Sequence, residues 1–270
     1  ISLPCAPCPA SQAPPLRYAS LASAMFLLST ESLRGYGLNR IFRFAKQAGF
    51  EGLELVLDLR SFDTQNPEYV NEMIHEVGIS VPVVRTFANP SIAQNVLAFE
   101  LASKIGAKIV VLEPPKLFDF KAKDWMKKQV PLFRKKYGLK ISLKNGPSEF
   151  LWGILPGRSM NSIPDLQNFR EVCLDVSNLF GKKIDLMRAY ELVRPYLVHV
   201  ELSNVNKGLD HWSLDEGIMP LESFLTKLAK DRYAGTIALS LRPKALAAGA
   251  DETMMKNIAK AMKFYERYIK

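Results

Sequence analysis

The sequence is poor in cysteine and histidine, with three residues of each among 270. Cys5 and Cys8 form a CxxC pair near the start of the chain, and Cys173 lies inside an apolar run. A structural zinc site needs about four ligands at recognisable spacing, and no second CxxC or histidine pair completes one. The sequence therefore predicts neither a zinc domain nor a disulfide scaffold, and a reducing cytoplasm is the expected compartment.

Long apolar runs and glycine-rich nucleotide loops are also absent from the sequence. No stretch approaches the roughly 20 apolar residues that a membrane-spanning helix requires, so we expect no membrane partner. No GxGxxG motif follows an early strand, which weakens the case for a dinucleotide-binding domain. The chain begins at Ile1 rather than at methionine, which leaves open what precedes it.

Positive charge is in excess. The chain has 36 Lys and Arg residues against 27 Asp and Glu, for a net charge of +9. Such a balance favours anionic partners, phosphorylated metabolites among them, although a solvated basic surface would have the same composition. Hydrophobic residues make up 48% of the chain, which is enough for a packed core.

The chain alternates between short β-rich runs and segments with helical spacing. Residues 1–16 are rich in Pro, Ala and Ser and predict a tail, whereas residues 17–270 carry the alternating pattern. The β-rich runs lie near 18–26 and at 51–58, 80–88, 107–113, 140–145, 171–178, 196–204 and 235–242. Alternation of this kind indicates βαβ units and a parallel sheet.

Four glycines stand between a helical segment and the next strand: Gly49, Gly78, Gly106 and Gly235. We expect them to act as left-handed helix caps. Because the strand–helix units follow one another without a break in composition, the sequence predicts an α/β fold, a single (β/α)8 TIM barrel.

An irregular stretch at 146–163 follows the fifth run, on the face where such barrels carry their active sites. It is either a lid or a packed insertion. The aromatic residues Phe87, Phe150, Trp152 and Trp212 are candidates for pocket walls or for the core.

In (β/α) barrels the chemistry takes place where the strands end, and residues two apart on a strand share a face. The last inward polar residues form a ring of ligand-binding candidates: Glu54 with Asp58, Arg85, Glu113, Lys144, Asp175 with Asn178, His199 with Glu201, His211, and Ser240 with Arg242. Acids and bases alternate around this ring. That alternation favours a compensated pocket for a small polyhydroxy or phosphorylated ligand over a set of solvated rim charges.

Four motifs occur in a characteristic order: AKQAGFEGLEL at 45–55, ASKIGAKIVVL at 102–112, VCLDVSN at 172–178, and the block from VHVELSN to SLRP at 198–243. Together they resemble the xylose isomerase-like superfamily of sugar-phosphate isomerases and epimerases, which also contains the AP endonuclease family 2. The resemblance covers roughly residues 17–268. It implies a barrel that holds one divalent metal, such as Mn, Mg or Zn, through a Glu, an Asp, a His and a Glu at successive strand ends.

Carried over onto this sequence, the ligand pattern is clearly retained only at Asp175. Lys144 stands at the first Glu position, Glu201 at the His position and Ser240 at the final Glu position. A lysine ammonium repels a divalent cation instead of coordinating it. The resemblance therefore implies a degenerate metal site with no cofactor expected; if a metal binds, its ligands are Asp175, Glu201 and His211.

Several functions remain open, and whether the protein is an enzyme is one of the open points. An isomerase-like or epimerase-like protein would use Lys144, Asp175 and Glu201 as catalytic groups and the rest of the ring to bind substrate. A metal-free binding protein would keep only the pocket, and a Schiff-base enzyme would use Lys144 as nucleophile. Nucleic acid is not an expected partner, because the histidines are too few for a nuclease zinc cluster.

Overall fold

The computed structural model describes residues 24–152 and 154–269. The predicted tail at 1–16, with Cys5 and Cys8, lies outside the described residues. In chain order the strands are β1 (Met25–Ser29), β2 (Gly52–Val56), β3 (Ser80–Arg85), β4 (Ile109–Leu112), β5 (Lys140–Lys144), β6 (Phe150–Leu151), β7 (Leu155–Pro156), β8 (Val172–Asp175), β9 (Leu197–Leu202), β10 (Asn204–Asn206), β11 (Leu209–Trp212) and β12 (Thr236–Leu239).

Eight of these strands close a parallel barrel in the order β1-β12-β9-β8-β5-β4-β3-β2. Closure occurs at β1, which pairs with β2 through Leu27 and Gly52 and with β12 through Met25 and Thr236. A closed sheet has no unpaired edge along its strands. The pairs β6–β7 and β10–β11 are short antiparallel hairpins outside the barrel. The predicted single (β/α)8 TIM barrel is confirmed.

Two strand predictions need correction at their ends. The first run was placed near 18–26, but the strand spans Met25–Ser29, so the residues at the mouth after it are Thr30–Leu33, a short 3-10 helix. The last run was placed at 235–242, but β12 ends at Leu239. Ser240 and Arg242 therefore belong to the loop that follows the strand.

The predicted helical segments form the outer layer of the barrel. The helices are α1 (Leu38–Ala48), α2 (Pro67–Val77), α3 (Ile92–Lys104), α4 (Phe120–Tyr137), α5 (Ile163–Phe169), α6 (Val176–Gly181), α7 (Leu186–Val193), α8 (Leu221–Lys230), α9 (Pro243–Leu246) and α10 (Asp251–Ile269). Within the described residues, no helix combines the length and the apolar character that crossing a membrane requires.

Two of the predicted glycine caps follow their helices directly. Gly49 and Gly78 adopt left-handed backbone angles, with φ of 86° and 67°, immediately after α1 and α2. The prediction for Gly235 was wrong, because its φ is not positive. A Cβ atom there would instead clash with the side chain of Tyr233 and lie 2.7 Å from the carbonyl oxygen of Val198, so close packing requires the glycine.

Apolar side chains fill both the space between sheet and helices and the inside of the barrel. Outside the sheet, Phe26 of β1 stacks on Tyr265 of α10 with ring centroids 3.8 Å apart. Inside the barrel, a smaller buried cluster contains Leu27, Val83, Ile109, Val111, Cys173 and Ala238. Because side chains two apart on a strand share a face, the inward residues beyond this cluster lie toward the carboxyl ends of the strands.

Candidate functional site

A cavity of about 640 Å³ opens among the loops at the carboxyl ends of the barrel strands. This is a typical volume for a small-molecule site. The charged side chains that line it are Arg34, Arg60, Arg85, Lys144, Arg158 and Arg242 together with Glu31, Asp58, Glu113 and Asp210. Cations outnumber carboxylates in this lining, so the cavity favours an anionic guest.

Six of the predicted site residues form a buried polar layer inside the barrel, which we call the ion-pair layer: Glu54, Arg85, Lys144, Asp175, His199 and Glu201. Each is no more than 5% exposed. Arg85, Lys144 and Asp175 are the last residues of β3, β5 and β8. The two-residue period of the strands turns these side chains inward, next to the apolar cluster.

Lys144 lies at the centre of three carboxylates. Its Nζ is 3.1 Å from Glu113 Oε1, 3.2 Å from Glu201 Oε2 and 3.6 Å from Asp175 Oδ2. Burial alone would lower the pKa of Lys144, but the charges of Glu113 and Glu201 outweigh it and raise the pKa well above its ordinary value. The amine therefore stays protonated and fixed between the acids.

Arg85 forms the second cationic centre of the layer. Its Nη1 donates to Glu201 Oε2 at 2.7 Å, its Nη2 donates to Glu31, and its Nε is 4.0 Å from Glu54 Oε1. Burial opposes ionisation of Glu54, but Arg85 and a hydrogen bond from His199 lower its pKa to about 2. Burial raises the pKa of Glu201, although Arg85 and Lys144 oppose the rise.

Asp175 is held by donors from its own chain segment and by Asn145, the residue that follows β5. Its Oδ2 accepts a hydrogen bond from the amide of Asn178 at 2.8 Å, and its Oδ1 accepts one from Ser177 Oγ at 3.0 Å. Asn145 pairs with the backbone of Asp175 in both directions, at 2.7 and 2.8 Å. The carboxylate is therefore oriented before any ligand arrives.

His211 reaches the same carboxylate from the β10–β11 hairpin. Its Nε2 lies 3.2 Å from Asp175 Oδ2, and its Nδ1 lies 3.6 Å from Asp210 Oδ1. Burial alone would lower the pKa of His211, but Asp175 and the hydrogen bonds to Asp175 and Asp210 raise it to about 10. His211 is therefore an imidazolium donor at neutral pH.

His199 occupies a different position, inside the barrel wall. Its Nδ1 contacts Thr236 Oγ1 at 2.7 Å and its Nε2 contacts Glu54 Oε1 at 3.3 Å. Both ring nitrogens therefore have partners within the protein, and His199 does not line the cavity.

The remaining predicted residues lie nearer the rim. Glu113 follows β4 directly, and Ser240 follows β12 and lines the cavity. Arg242 was predicted as an inward residue of the last strand, but it caps α9 and pairs with Asp210, with 49% of its side chain exposed. The strand ends before it, so the alternation of strand side chains no longer determines its direction.

Sequence reasoning missed five charged residues of the cavity lining: Glu31, Arg34, Arg60, Arg158 and Asp210. Glu31 contacts Arg85 from the 3-10 helix after β1, and correct placement of the first strand would have revealed it. Arg158 donates to the carbonyl of Pro114 at 3.0 Å and lies in the irregular stretch, where no periodicity marks it. Asp210 directly precedes His211 in the sequence, and that adjacency was the available signal.

Asp175, Glu201 and His211 can each present a ligand atom within 4.8 Å of the others. These are the three residues that the sequence analysis named as ligands in the event that a metal binds. Lys144 Nζ contacts two of its members, at 3.2 Å from Glu201 and 3.6 Å from Asp175.

Comparisons with known proteins agree with the barrel fold. The model of the xylose isomerase-like TIM barrel family matches residues 42–267. A D-tagatose 3-epimerase-like protein superposes with a TM-score of 0.69 at 17% identity, covering 91% of this chain and 97% of its own. A xylose isomerase domain-containing protein from Salmonella typhimurium LT2 gives 0.72 at 15% identity, covering 90% and 97%.

A third structure, the probable 3-DHS dehydratase AsbF of Bacillus anthracis, involved in petrobactin synthesis, superposes with a TM-score of 0.67 at 14% identity, covering 88% of this chain and 98% of its own. At sequence identities of 14–17%, the similarity between these structures and this chain shows a shared fold alone. A search of curated protein sequences found no match.

Proposed function

Because the chain belongs to the xylose isomerase-like TIM barrel family, we propose that it is an isomerase-like or epimerase-like barrel that binds a small anionic or polyhydroxy molecule at its mouth. In this proposal the metal site is degenerate, and the ammonium group of Lys144 takes the place of a divalent cation. Lys144 lines the cavity and is the group that would contact the reacting part of a substrate, whereas Asp175 and Glu201 are fully buried behind it, do not line the cavity, and would act by holding the Lys144 ammonium in place.

The observation that carries the proposal is the position of Lys144 Nζ, within 3.6 Å of oxygens of Glu113, Glu201 and Asp175. A divalent cation bound by Asp175 and Glu201 would have to sit beside this ammonium, and like charges at that distance repel strongly. The third candidate ligand, His211, has its pKa raised to about 10 by Asp175 and Asp210, so a metal would first have to displace its proton at neutral pH. A protonated imidazole cannot coordinate a metal.

The residues present therefore do not fit the family's divalent metal in this protonation state. Glu201 Oε2 already accepts from Arg85 at 2.7 Å and from Lys144 at 3.2 Å. Asp175 Oδ2 already accepts from Asn178 at 2.8 Å and lies 3.2 Å from His211 Nε2. A metal would need to displace several charge-assisted hydrogen bonds that are stronger than ordinary ones.

The ligand class follows from the lining of the cavity. Arg34, Arg60 and Arg242 stand at the rim, where they would attract a carboxylate or a phosphate group. Ser240 and Asn178 line the cavity closer to the barrel, where the hydroxyl of Ser240 and the amide oxygen of Asn178 could bond the hydroxyls of a polyol. A sugar acid or a sugar phosphate combines both kinds of group.

A metal-dependent isomerase or epimerase is the second candidate, favoured by the proximity of the Asp175, Glu201 and His211 ligand atoms. A Schiff-base enzyme is less supported, because a nucleophilic lysine must lose its proton. The surrounding acids raise the pKa of Lys144 and hold the proton on it.

The test is elemental analysis of the purified protein, followed by calorimetric titration with sugar acids and sugar phosphates in EDTA and in Mn²⁺. We expect no stoichiometric metal and ligand binding that EDTA does not change. Lys144→Met should abolish binding, whereas Lys140→Met, a change at the exposed start of the same strand, should not. One equivalent of bound metal, or binding and turnover that require Mn²⁺, would overturn the proposal in favour of the second candidate.

A further inference from the structure

The hairpin that follows β5 exposes apolar side chains instead of burying them. Its strands β6 and β7 pair through Phe150 with Pro156 and Leu151 with Leu155. Trp152 and Ile154, at the tip, are each 81% exposed, and Phe150 is 61% exposed. Of the two alternatives for 146–163, a lid or a packed insertion, the second does not describe this tip. Neither Phe150 nor Trp152 lines the cavity.

The loop after β4 lies beside this hairpin and is also apolar. The backbone N–H of Leu117 donates to the carbonyl of Gly157 at 2.9 Å, which joins the two loops. Phe118 is 55% exposed and Phe120 is 69% exposed, with ring centroids 6.5 Å apart. Together the hairpin, the loop after β4 and the first residue of α4 carry a surface that we call the apolar rim: Phe118, Phe120, Phe150, Trp152 and Ile154.

Scattered exposed apolar residues are common, but several on adjoining loops indicate a contact surface. Trp152 and Ile154 flank the end of a two-stranded hairpin and leave most of their apolar surface uncovered by the protein. Trp is enriched at the boundary between lipid and water, and Trp and Phe are typical of the apolar faces that bind there.

Uncompensated positive charge borders the apolar rim. Within the part of the chain that the structure describes, Lys116, Lys121 and Lys123 form no ion pair. The acids of the same segments are already engaged: Asp119 caps α4 by accepting from the N–H of Ala122 at 2.9 Å, and Glu149 pairs with Arg158 at 3.2 Å. These lysines are therefore free to meet an external anion.

We propose that the apolar rim docks on the surface of an anionic membrane, with Trp152 and Ile154 entering the lipid interface and the three lysines facing lipid phosphates. Each lysine near such a surface contributes about 1 kcal/mol. The sequence-based expectation of no membrane partner depended on the absence of a spanning segment, which an interfacial contact does not need.

A second copy of the chain is the competing occupant, and charge argues against it. A symmetric contact between two rims would bring the lysines of one copy close to those of the other. The net charge of +9 opposes self-association and favours an anionic surface. Because Pro147 and Arg158 at the base of the hairpin line the cavity, docking would place the cavity mouth beside the lipid.

The test is sedimentation of the full chain with vesicles of phosphatidylcholine alone and of phosphatidylcholine mixed with phosphatidylserine. We expect binding to the mixed vesicles only, with a blue shift in tryptophan emission. The double change Trp152→Ser with Ile154→Ser should weaken partitioning by about tenfold or more and remove the shift. Lys116→Gln with Lys121→Gln should weaken partitioning at low salt, by a factor that shrinks as salt rises and screens the native lysines as well.

The matched controls lie off the rim. Phe62→Ser removes an equally exposed aromatic, 80% exposed on the loop after β2, and should leave partitioning unchanged. Lys140→Gln removes an exposed lysine at the opposite end of the barrel and should also have no effect. Absence of binding to both vesicle types, or an equal loss in Phe62→Ser, would overturn the proposal. So would self-association that the Trp152 and Ile154 changes abolish, since a second copy would then cover the rim.

Discussion

Replacing Lys144 by glutamate should convert the ion-pair layer into a metal site. In the native chain the ammonium lies 3.1 to 3.6 Å from oxygens of Glu113, Glu201 and Asp175. Lys144→Glu removes the charge that repels a divalent cation and adds a carboxylate where the family resemblance implies a ligand. We expect the variant to bind Mn²⁺ or Zn²⁺ stoichiometrically.

The magnitude follows from the distances. At an effective dielectric constant of about 20, two unit charges about 3.2 Å apart interact by about 5 kcal/mol, and a divalent ion doubles that figure. Even after the cost of desolvating the ion, a gain of about 4 kcal/mol corresponds to roughly a thousandfold increase in metal affinity.

Without metal the variant should be less stable than the native chain. Removing one partner of a buried ion pair costs about 3–5 kcal/mol, because the remaining charges stay buried without compensation. For a domain of this size, that loss lowers Tm by roughly 10 °C. A metal at about 100 times its Kd should restore about 2.7 kcal/mol.

The assay is differential scanning calorimetry in EDTA and in Mn²⁺, with elemental analysis of the same samples. Lys144→Met is the matched control, because it removes the ammonium without supplying a ligand, so it should lose stability and gain no metal. The reasoning is refuted if folded Lys144→Glu carries no metal, or if the native chain and Lys144→Met bind Mn²⁺ as tightly as Lys144→Glu does.

Three further predictions concern the scaffold and its protonation. Asn145→Ala should lower the free energy of unfolding by about 2 kcal/mol in urea titrations, because it removes two buried hydrogen bonds to the Asp175 backbone. Asn145→Asp keeps the acceptor but sets a buried carboxylate oxygen against the Asp175 carbonyl, so it should lose at least as much. Phe26→Ala should cost about 3–5 kcal/mol through loss of its stacking on Tyr265, and a loss below about 1 kcal/mol would contradict that packing. Charged His211 should contribute its full stabilisation below its ordinary pKa of 6.5, and this contribution should be lost as pH rises through about 10. Between these two pH values the free energy of unfolding should therefore fall less in His211→Asn than in the native chain.

The alternation of strands and helices was predictable because its signals are local. A two-residue period and a helical period are read within short windows, and Gly49 and Gly78 mark helix ends through their own backbone angles. The inward direction of Arg85, Lys144 and Asp175 followed from the same strand period. The first strand was predicted too early in the chain, because its apolar run contains no residue that marks a strand end. Glu31 was therefore not recognised as a residue at the mouth of the barrel.

What the sequence by itself determined is therefore the closed barrel and the set of polar residues at most of its strand ends. Only the tertiary structure decided which charges meet, because Arg85 and Glu201 are 116 residues apart and Lys144 and Glu201 are 57 apart. It also decided that Arg242 turns to the rim and that Trp152 and Ile154 stay exposed. Local periodicity determines the direction of a side chain relative to its own strand, whereas its ion-pair partners and its burial depend on elements that approach only when the barrel closes.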